Sequence, residues 1–263
     1  MEPILTVKNL SISFTRYGRG FSRIELPTIQ DLSLTVEPGQ VAAVVGASGS
    51  GKSLLAHAMF HLLPRNARAE GTLLYNGSLL TEDRARELRG REIALIPQGV
   101  TYLDPMMRVG PQVRRGGWDA ASRVRCREAL GRYGLGPEVE ELYPFELSGG
   151  MARRVLIASA VTQSPRLIVA DEPTPGLDLR AAGRILGHFR ELAEQGAGVL
   201  FITHDLELAL TVADKLVVLY EGRTVEELSA ARFRAGEGLH PYTRALWDAM
   251  PLRWPSPGGH SFS

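Results

Sequence analysis

A single cysteine, Cys126, in 263 residues rules out an intramolecular disulfide framework and leaves too few thiolates for an iron–sulfur cluster or a zinc site built on sulfur. A reducing, cytosolic compartment is the default that follows. The chain also has no apolar run near the roughly twenty residues needed to cross a bilayer, and its start, with Glu2 and Pro3, lacks a signal-peptide pattern. Work at a membrane therefore implies another chain that holds this one there. Nor is there an excess charge of one sign. Thirty basic against 29 acidic residues leave a formal charge of +1, which argues against binding nucleic acid through bulk charge. Arginine is clustered at Arg84, Arg86, Arg89 and Arg91 and again from Arg114 to Arg127, runs that read first as solvated helix faces.

What the chain does have is Gly46-Ala47-Ser48-Gly49-Ser50-Gly51-Lys52-Ser53, a complete P-loop between a strand-like run, Val41 to Val45, and a helix-like run, Ser53 to Leu63. The glycines let the backbone curl so that successive N–H groups and the positive end of the helix dipole face an anion. Lys52 adds a full charge, and the Ser53 hydroxyl is placed to ligate a magnesium ion bridging the phosphates of a nucleotide.

Before the P-loop, β-type segments span Leu5 to Phe14 and Thr28 to Val36, and the Gly- and Arg-rich stretch from Arg16 to Pro27 reads as an extended hairpin loop. After it, Pro64 is the expected stop of the helix, and Gly71 to Leu80 reads as a hairpin turning at Asn76-Gly77. From about Gln98 to Tyr143 the composition suits a smaller helical lobe, with a helix near Ala120 to Tyr133. Beyond Pro165 strands and helices alternate: Leu167 to Ala170, Asp178 to Glu194, Val199 to Thr203, Leu206 to Ala213 and Lys215 to Tyr220. That alternation predicts an α/β fold with a mainly parallel sheet wrapped by helices. One domain over residues 1–250 with a flexible Pro/Gly/Ser-rich tail, 251–263, is the expected organisation.

The apolar strand Leu167 to Ala170 runs into Asp171-Glu172, and strand C-termini form the ligand crevice of an α/β sheet. Asp171 is then placed to hold magnesium through a water, and Glu172 to deprotonate an attacking water. Three more segments accompany this pair. Leu147-Ser148-Gly149-Gly150-Met151 precedes a helix-like run, Ala152 to Val161, and so makes a second anion-ready helix N-terminus, Gln98 follows the strand Ile93 to Pro97, and His204 ends the strand Val199 to Thr203, in reach of a terminal phosphate.

In this order, the P-loop, Gln98, Leu147-Ser148-Gly149-Gly150-Met151, the Walker B strand with Glu172, Gly176-Leu177-Asp178 as a D-loop and His204 resemble the motif set of an ABC transporter ATPase subunit over about Ile4 to Met250. The resemblance implies a P-loop NTPase fold with an N-terminal antiparallel β subdomain and an inserted helical subdomain at about 98–162. It implies ATP and Mg2+ as ligands, with Ser53, Gln98 and water-linked Asp171 around the metal, Glu172 as base and His204 as γ-phosphate sensor. Ser148, Gly149 and Gly150 would serve a partner's ATP, and Phe14 or Tyr17 would stack on adenine. The implied partners are transmembrane permease subunits, a second ATPase subunit that is a copy or a relative, and indirectly an extracellular or periplasmic solute-binding protein. Nucleic acid is not among them, and the implied location is the cytoplasmic face of the cell membrane.

His240-Pro241-Tyr242-Thr243-Arg244-Ala245-Leu246 is similar to the C-terminal motif of the oligopeptide, dipeptide and nickel importer ATPases. Tyr143-Pro144-Phe145-Glu146 with Met151 leans toward the nickel and metal–opine branch. A soluble ABC ATPase of DNA repair or translation is the alternative, though the long coiled coil of the first and the second P-loop of the other are missing. Two departures stand out: Pro175-Gly176 occupies the D-loop where Ser-Ala is common, and no cysteine cluster carries over.

Overall fold

The computed structural model describes residues 2–17, 23–47 and 49–250. The expected 251–263 tail, the centre of the predicted 16–27 loop and Ser48 lie outside the described residues, as does the Tyr17 side chain. In chain order the strands are β1 (Leu5–Tyr17), β2 (Arg23–Val36), β3 (Val41–Gly46), β4 (Ala67–Tyr75), β5 (Ser78–Leu79), β6 (Ile93–Ile96), β7 (Leu167–Asp171), β8 (Gly198–Ile202), β9 (Lys215–Tyr220) and β10 (Arg223–Ser229). The helices are α1 (Lys52–Met59), α2 (Glu82–Leu88), α3 (Val109–Arg114), α4 (Ala120–Arg132), α5 (Gly149–Val161), α6 (Leu179–Glu194), α7 (Leu206–Val212), α8 (Ala230–Ala235) and α9 (Pro241–Asp248).

Two sheets carry the fold. The larger runs β10-β9-β3-β8-β7-β6, parallel from β9 to β6 with β10 antiparallel at its edge. A parallel sheet needs both faces covered, and the interiors of its strands are therefore apolar, with charge confined to strand ends such as Asp171 of β7 and Lys215 of β9. In β3, Val41, Ala43 and Val45 join one core while Ala42 and Val44 join the other, and β8 divides the same way, Val199 and Phe201 against Leu200 and Ile202. The first core is closed by α5 and α6, whose Val155, Ile185 and Phe189 are fully buried. The second is closed by α1 and by the smaller, antiparallel sheet β2-β1-β4-β5, through Leu55, Met59, Leu10, Ile12 and Leu32. Each such side chain withdrawn from water contributes about 1.5 to 3 kcal/mol.

Local chemistry explains where expectation and structure part. The 16–27 stretch is not all loop: β1 continues through Tyr17 and β2 begins at Arg23, with Ser13 to Tyr17 paired against Arg23 to Pro27. Helix α1 stops at Met59, before Pro64 is reached. His61 adopts φ 46°, and the Leu62 amide reaches back to the His57 carbonyl at 2.8 Å, the bond of a Schellman turn. The arginine runs divide. Arg86 stays exposed beside Glu82, but the Arg114 side chain is buried against Glu140 at 2.9 Å, and Arg127 donates to the other oxygen of the same carboxylate. Those two bonds satisfy a glutamate that is itself only 6% exposed, and loss of Glu140 would leave the buried Arg114 charge without its carboxylate.

The helical lobe, α3 to α5, leans on the core through α6. Tyr133, which ends α4, meets His188 of α6 in a buried Oη to Nδ1 hydrogen bond, and Arg132 pairs with Glu191 at the rim. Arg154 of α5 donates to the Tyr133 and Gly134 carbonyls from the other side. Burial, reinforced by the Arg132 charge, pushes the His188 imidazole down to about 4. The unfolded chain takes up that proton near pH 6.5 and the folded one only near pH 4, so the stabilisation is complete above about 6.5 and fades as pH falls through that window. Between pH 7 and 4.5 the native protein should lose about 2 to 3 kcal/mol more stability than His188→Gln, which does not titrate. Urea unfolding of both proteins at the two pH values measures this. Parallel losses would remove His188 from the account.

Candidate functional site

The site is built at the carboxyl ends of β3, β6, β7 and β8, which the parallel register brings to one edge. Val44 lies beside Ile202, Ile202 beside Asp171, and Ala170 beside Ile96. From β3 the chain enters the P-loop at Gly46, where any Cβ would strike the Leu219 carbonyl of the neighbouring strand. Gly51 has φ 90°, and a Cβ there would sit 2.7 Å from the Ile29 side chain. These two positions require glycine for reasons of backbone and space alone. Helix α1 then starts with no side-chain cap, which leaves its first N–H groups for an anion.

Lys52 is buried, and its ammonium donates to the Gly46 carbonyl at 2.8 Å and the Ala47 carbonyl at 2.9 Å. An ammonium has three donors, so one remains for a phosphate oxygen. Burial pulls the Lys52 pKa below its ordinary value, while the negative charges of Glu172 and Asp171 oppose that shift. The three side chains thus form one electrostatic unit, in which the cation offsets two carboxylates that share poor access to water.

Asp171 closes β7 and is 3% exposed. Burial raises its pKa, and a hydrogen bond from the Ser53 side chain is the main opposing influence. Its Oδ1 is buried with no hydrogen-bond partner. An orphaned acceptor of this kind costs about 1 to 3 kcal/mol, more when charged, and it is the kind of oxygen a cation satisfies. The Ser53 hydroxyl beside it adds a second hard oxygen donor, so the pair fits Mg2+.

Glu172 has φ 47°, a left-handed conformation that costs a residue with a Cβ on the order of 1 to 2 kcal/mol. Its backbone and side chain are held on several sides. The Glu172 amide donates to the Ile202 carbonyl at 2.9 Å, and its own carbonyl accepts from Arg153 Nη1 at 2.8 Å. The carboxylate Oε1 accepts from the His204 amide at 3.0 Å and lies 2.7 Å from His204 Nδ1, while Thr203 Oγ1 stands 3.5 Å from Oε2. The His204 ring is itself more than half exposed. Asp205 follows as the cap of α7, accepting from the Leu208 amide, which fixes where the chain turns after His204.

Gly49, Gly51, Lys52, Ser53, Gln98, Glu172 and His204 line one open cleft of about 470 Å³. Seven of the residues singled out in the sequence therefore converge, whereas Asp171, buried at the end of β7, is not among those that line the cleft. Ser148, Gly149 and Gly150 do not line it; Ser148 caps α5 by accepting from the Met151 amide at 3.2 Å, and the start of that helix faces outward. Phe14 packs against the core under the small sheet and does not line the cleft. Thr28 and Leu54 line it without having been anticipated, since a threonine in a strand and a leucine in a helix carry no chemical signal in sequence. Arg153 was missed as well, because its partners are backbone carbonyls.

The ABC transporter family model matches residues 29–175, more than half of the chain. The dipeptide transport ATP-binding protein DppD of Lactococcus lactis subsp. cremoris is 36% identical over 95% of this chain and 74% of its own length. The oligopeptide transport ATP-binding protein OppD of Haemophilus influenzae is 35% identical over 95% of this chain and 80% of its length. Among solved structures, a dimeric bacterial ABC transporter cassette superimposes with a TM-score of 0.74 at 25% identity, covering 86% of this chain and 98% of that one. The ABC cassette fold, with its antiparallel N-terminal sheet and largely parallel core sheet, is accordingly the fold of this protein. Together with the P-loop and the acidic strand end that lie on either side of one cleft, these likenesses show that the chain belongs to the ABC transporter family as an ATP-binding, ATP-hydrolysing subunit.

Proposed function

We propose that the chain energises import of peptides through a membrane permease, and that a single ATPase domain, residues 1–250, does so from the cytoplasmic face. The observation that carries the reading is the cleft, which gathers Lys52, Ser53, Gln98, Glu172 and His204. The names of DppD and OppD, both peptide transport proteins, favour peptides as the solute class. Among the described residues no helix is long and apolar enough to cross a membrane, and in this reading the transport path is supplied by the permease. Tyr102 and Met106, apolar and exposed just beyond Gln98, support docking of a permease on that side. Nickel or a metal–opine chelate is the second reading, favoured by Tyr143-Pro144-Phe145-Glu146 beside Met151 and by the His240 motif.

In the proposed mechanism the P-loop amides and Lys52 hold the phosphates and stabilise charge that builds on them during hydrolysis. Asp171, through water, with Ser53 and Gln98 would hold Mg2+, which when bound neutralises phosphate charge. Glu172 takes the proton of the attacking water. Its Oε1 is engaged by His204, which leaves Oε2, contacted only at 3.5 Å by Thr203, as the basic oxygen. His204 orients that carboxylate and presents the other edge of its exposed ring to the terminal phosphate.

Since Ser148 and Gly149 are exposed and neither they nor Gly150 line this cleft, the three are proposed to complete the site of a second ATPase subunit, copy or relative, in a head-to-tail dimer. A solute-binding protein would act on the far side of the membrane.

Glu172→Gln should lower turnover by about a hundredfold or more while ATP affinity stays within a few fold, whereas Lys52→Ala should weaken ATP binding itself. Steady-state hydrolysis paired with equilibrium nucleotide binding separates the two; full turnover in Glu172→Gln would remove it as base. Specific activity of the purified chain should rise with protein concentration and again on adding permease. A constant rate from a monomer across a wide dilution series contradicts the composite site. Deleting the gene should abolish growth on peptides as amino-acid source. Retained growth with reduced nickel, cobalt or zinc accumulation would move the solute to the metal chelates.

A further inference from the structure

Arg153 lies one turn into α5, the helix capped by Ser148, and its half-buried guanidinium reaches toward the ends of β6 and β7. One nitrogen, Nη1, donates to the Glu172 carbonyl at 2.8 Å, and the other, Nη2, donates to the Gln98 carbonyl at 2.5 Å. Its two ends thus grip two separate strand exits, after β6 and after β7, with a planar fork that a lysine does not have. The carbonyl it grips at Glu172 belongs to a residue in the left-handed region, where the peptide keeps its orientation only if neighbours hold it. Burial lowers the Arg153 pKa and the Glu172 charge opposes that.

We propose that Arg153 is a positioning residue for hydrolysis, fixing the backbone of Glu172 and of Gln98 to the helix that carries Ser148, Gly149 and Gly150. It does not line the cleft itself. It acts by keeping the Glu172 carboxylate in the arrangement in which His204 holds Oε1. The inference rests on the reading of Glu172 as the base, and its test has a readout that does not depend on that reading.

The test uses the full chain with its permease and compares Arg153→Met, which keeps the stem and removes both donors, with Arg153→Lys. Arg153→Met should lower kcat by about tenfold or more with KM for ATP within about twofold, and Arg153→Lys should recover part of the loss. In a Glu172→Gln background the Met substitution should cost nothing further, because its effect passes through the carboxylate. Independently of turnover, the His204 amide, held by Glu172 Oε1, should exchange its hydrogen faster in Arg153→Met. Unchanged kcat and unchanged exchange overturn the proposal, as does a loss that persists undiminished beside Glu172→Gln. Activity surviving in Glu172→Gln alone, with faster His204 exchange in Arg153→Met, would instead sink the base assignment and leave the tether standing.

Discussion

Parallel pairing among β3, β8, β7 and β6 is the constraint on which the site depends. Strands that run the same way must end at the same edge, and each return crossing has to be made by chain packed on a face of the sheet. The residues that leave those four ends are therefore neighbours in space although they are distant in sequence: the P-loop after β3, Gln98 after β6, Asp171 and Glu172 at the end of β7, His204 after β8. The helices needed for the crossings are the same ones that dry the two cores. Phosphate chemistry is thus assembled by strand registration before any side chain contributes.

That edge is not a relaxed piece of structure. A carboxylate oxygen of Asp171 is buried without a partner, Glu172 holds a disfavoured backbone angle, and Lys52 remains a buried cation between them. Each feature costs stability alone, and each is offset by another: the Lys52 charge against the two acids, the Ser53 hydroxyl on Asp171, the Arg153 and Ile202 bonds on the Glu172 peptide. A polar cluster arranged this way suits the phosphates of ATP, whose negative charge the Lys52 ammonium and the open start of α1 answer.

Much of this was legible in the sequence, for a physical reason. Apolar runs such as Leu167-Ile168-Val169-Ala170 and Val199 to Ile202 are unbroken because both sheet faces are covered, and glycines such as Gly46 and Gly51 stand where no Cβ fits. The positions of β10 and α8 were not read, because Arg223–Ser229 mixes charges at an exposed edge and so lacks a clean alternation. The strand continuations through Tyr17 and from Arg23 were hidden by Gly and Arg composition, which signals a turn but not how far the pairing extends beyond the core. Arg153 was invisible for a different reason: a side chain that binds main-chain carbonyls leaves no partner residue type to search for.

Cys126, buried at the heart of the helical lobe, has its thiol pushed up to about 11 by desolvation, with the Glu140 charge acting in the same direction. At neutral pH it is neither exposed nor ionised, and nucleophilic attack requires the thiolate. Burial and a neutral thiol both oppose attack by thiol reagents on the native protein. A cysteine introduced at an exposed position such as Ser148 becomes the one reactive sulfur in the folded chain, and a spectroscopic label placed there reports on that helix end against no background.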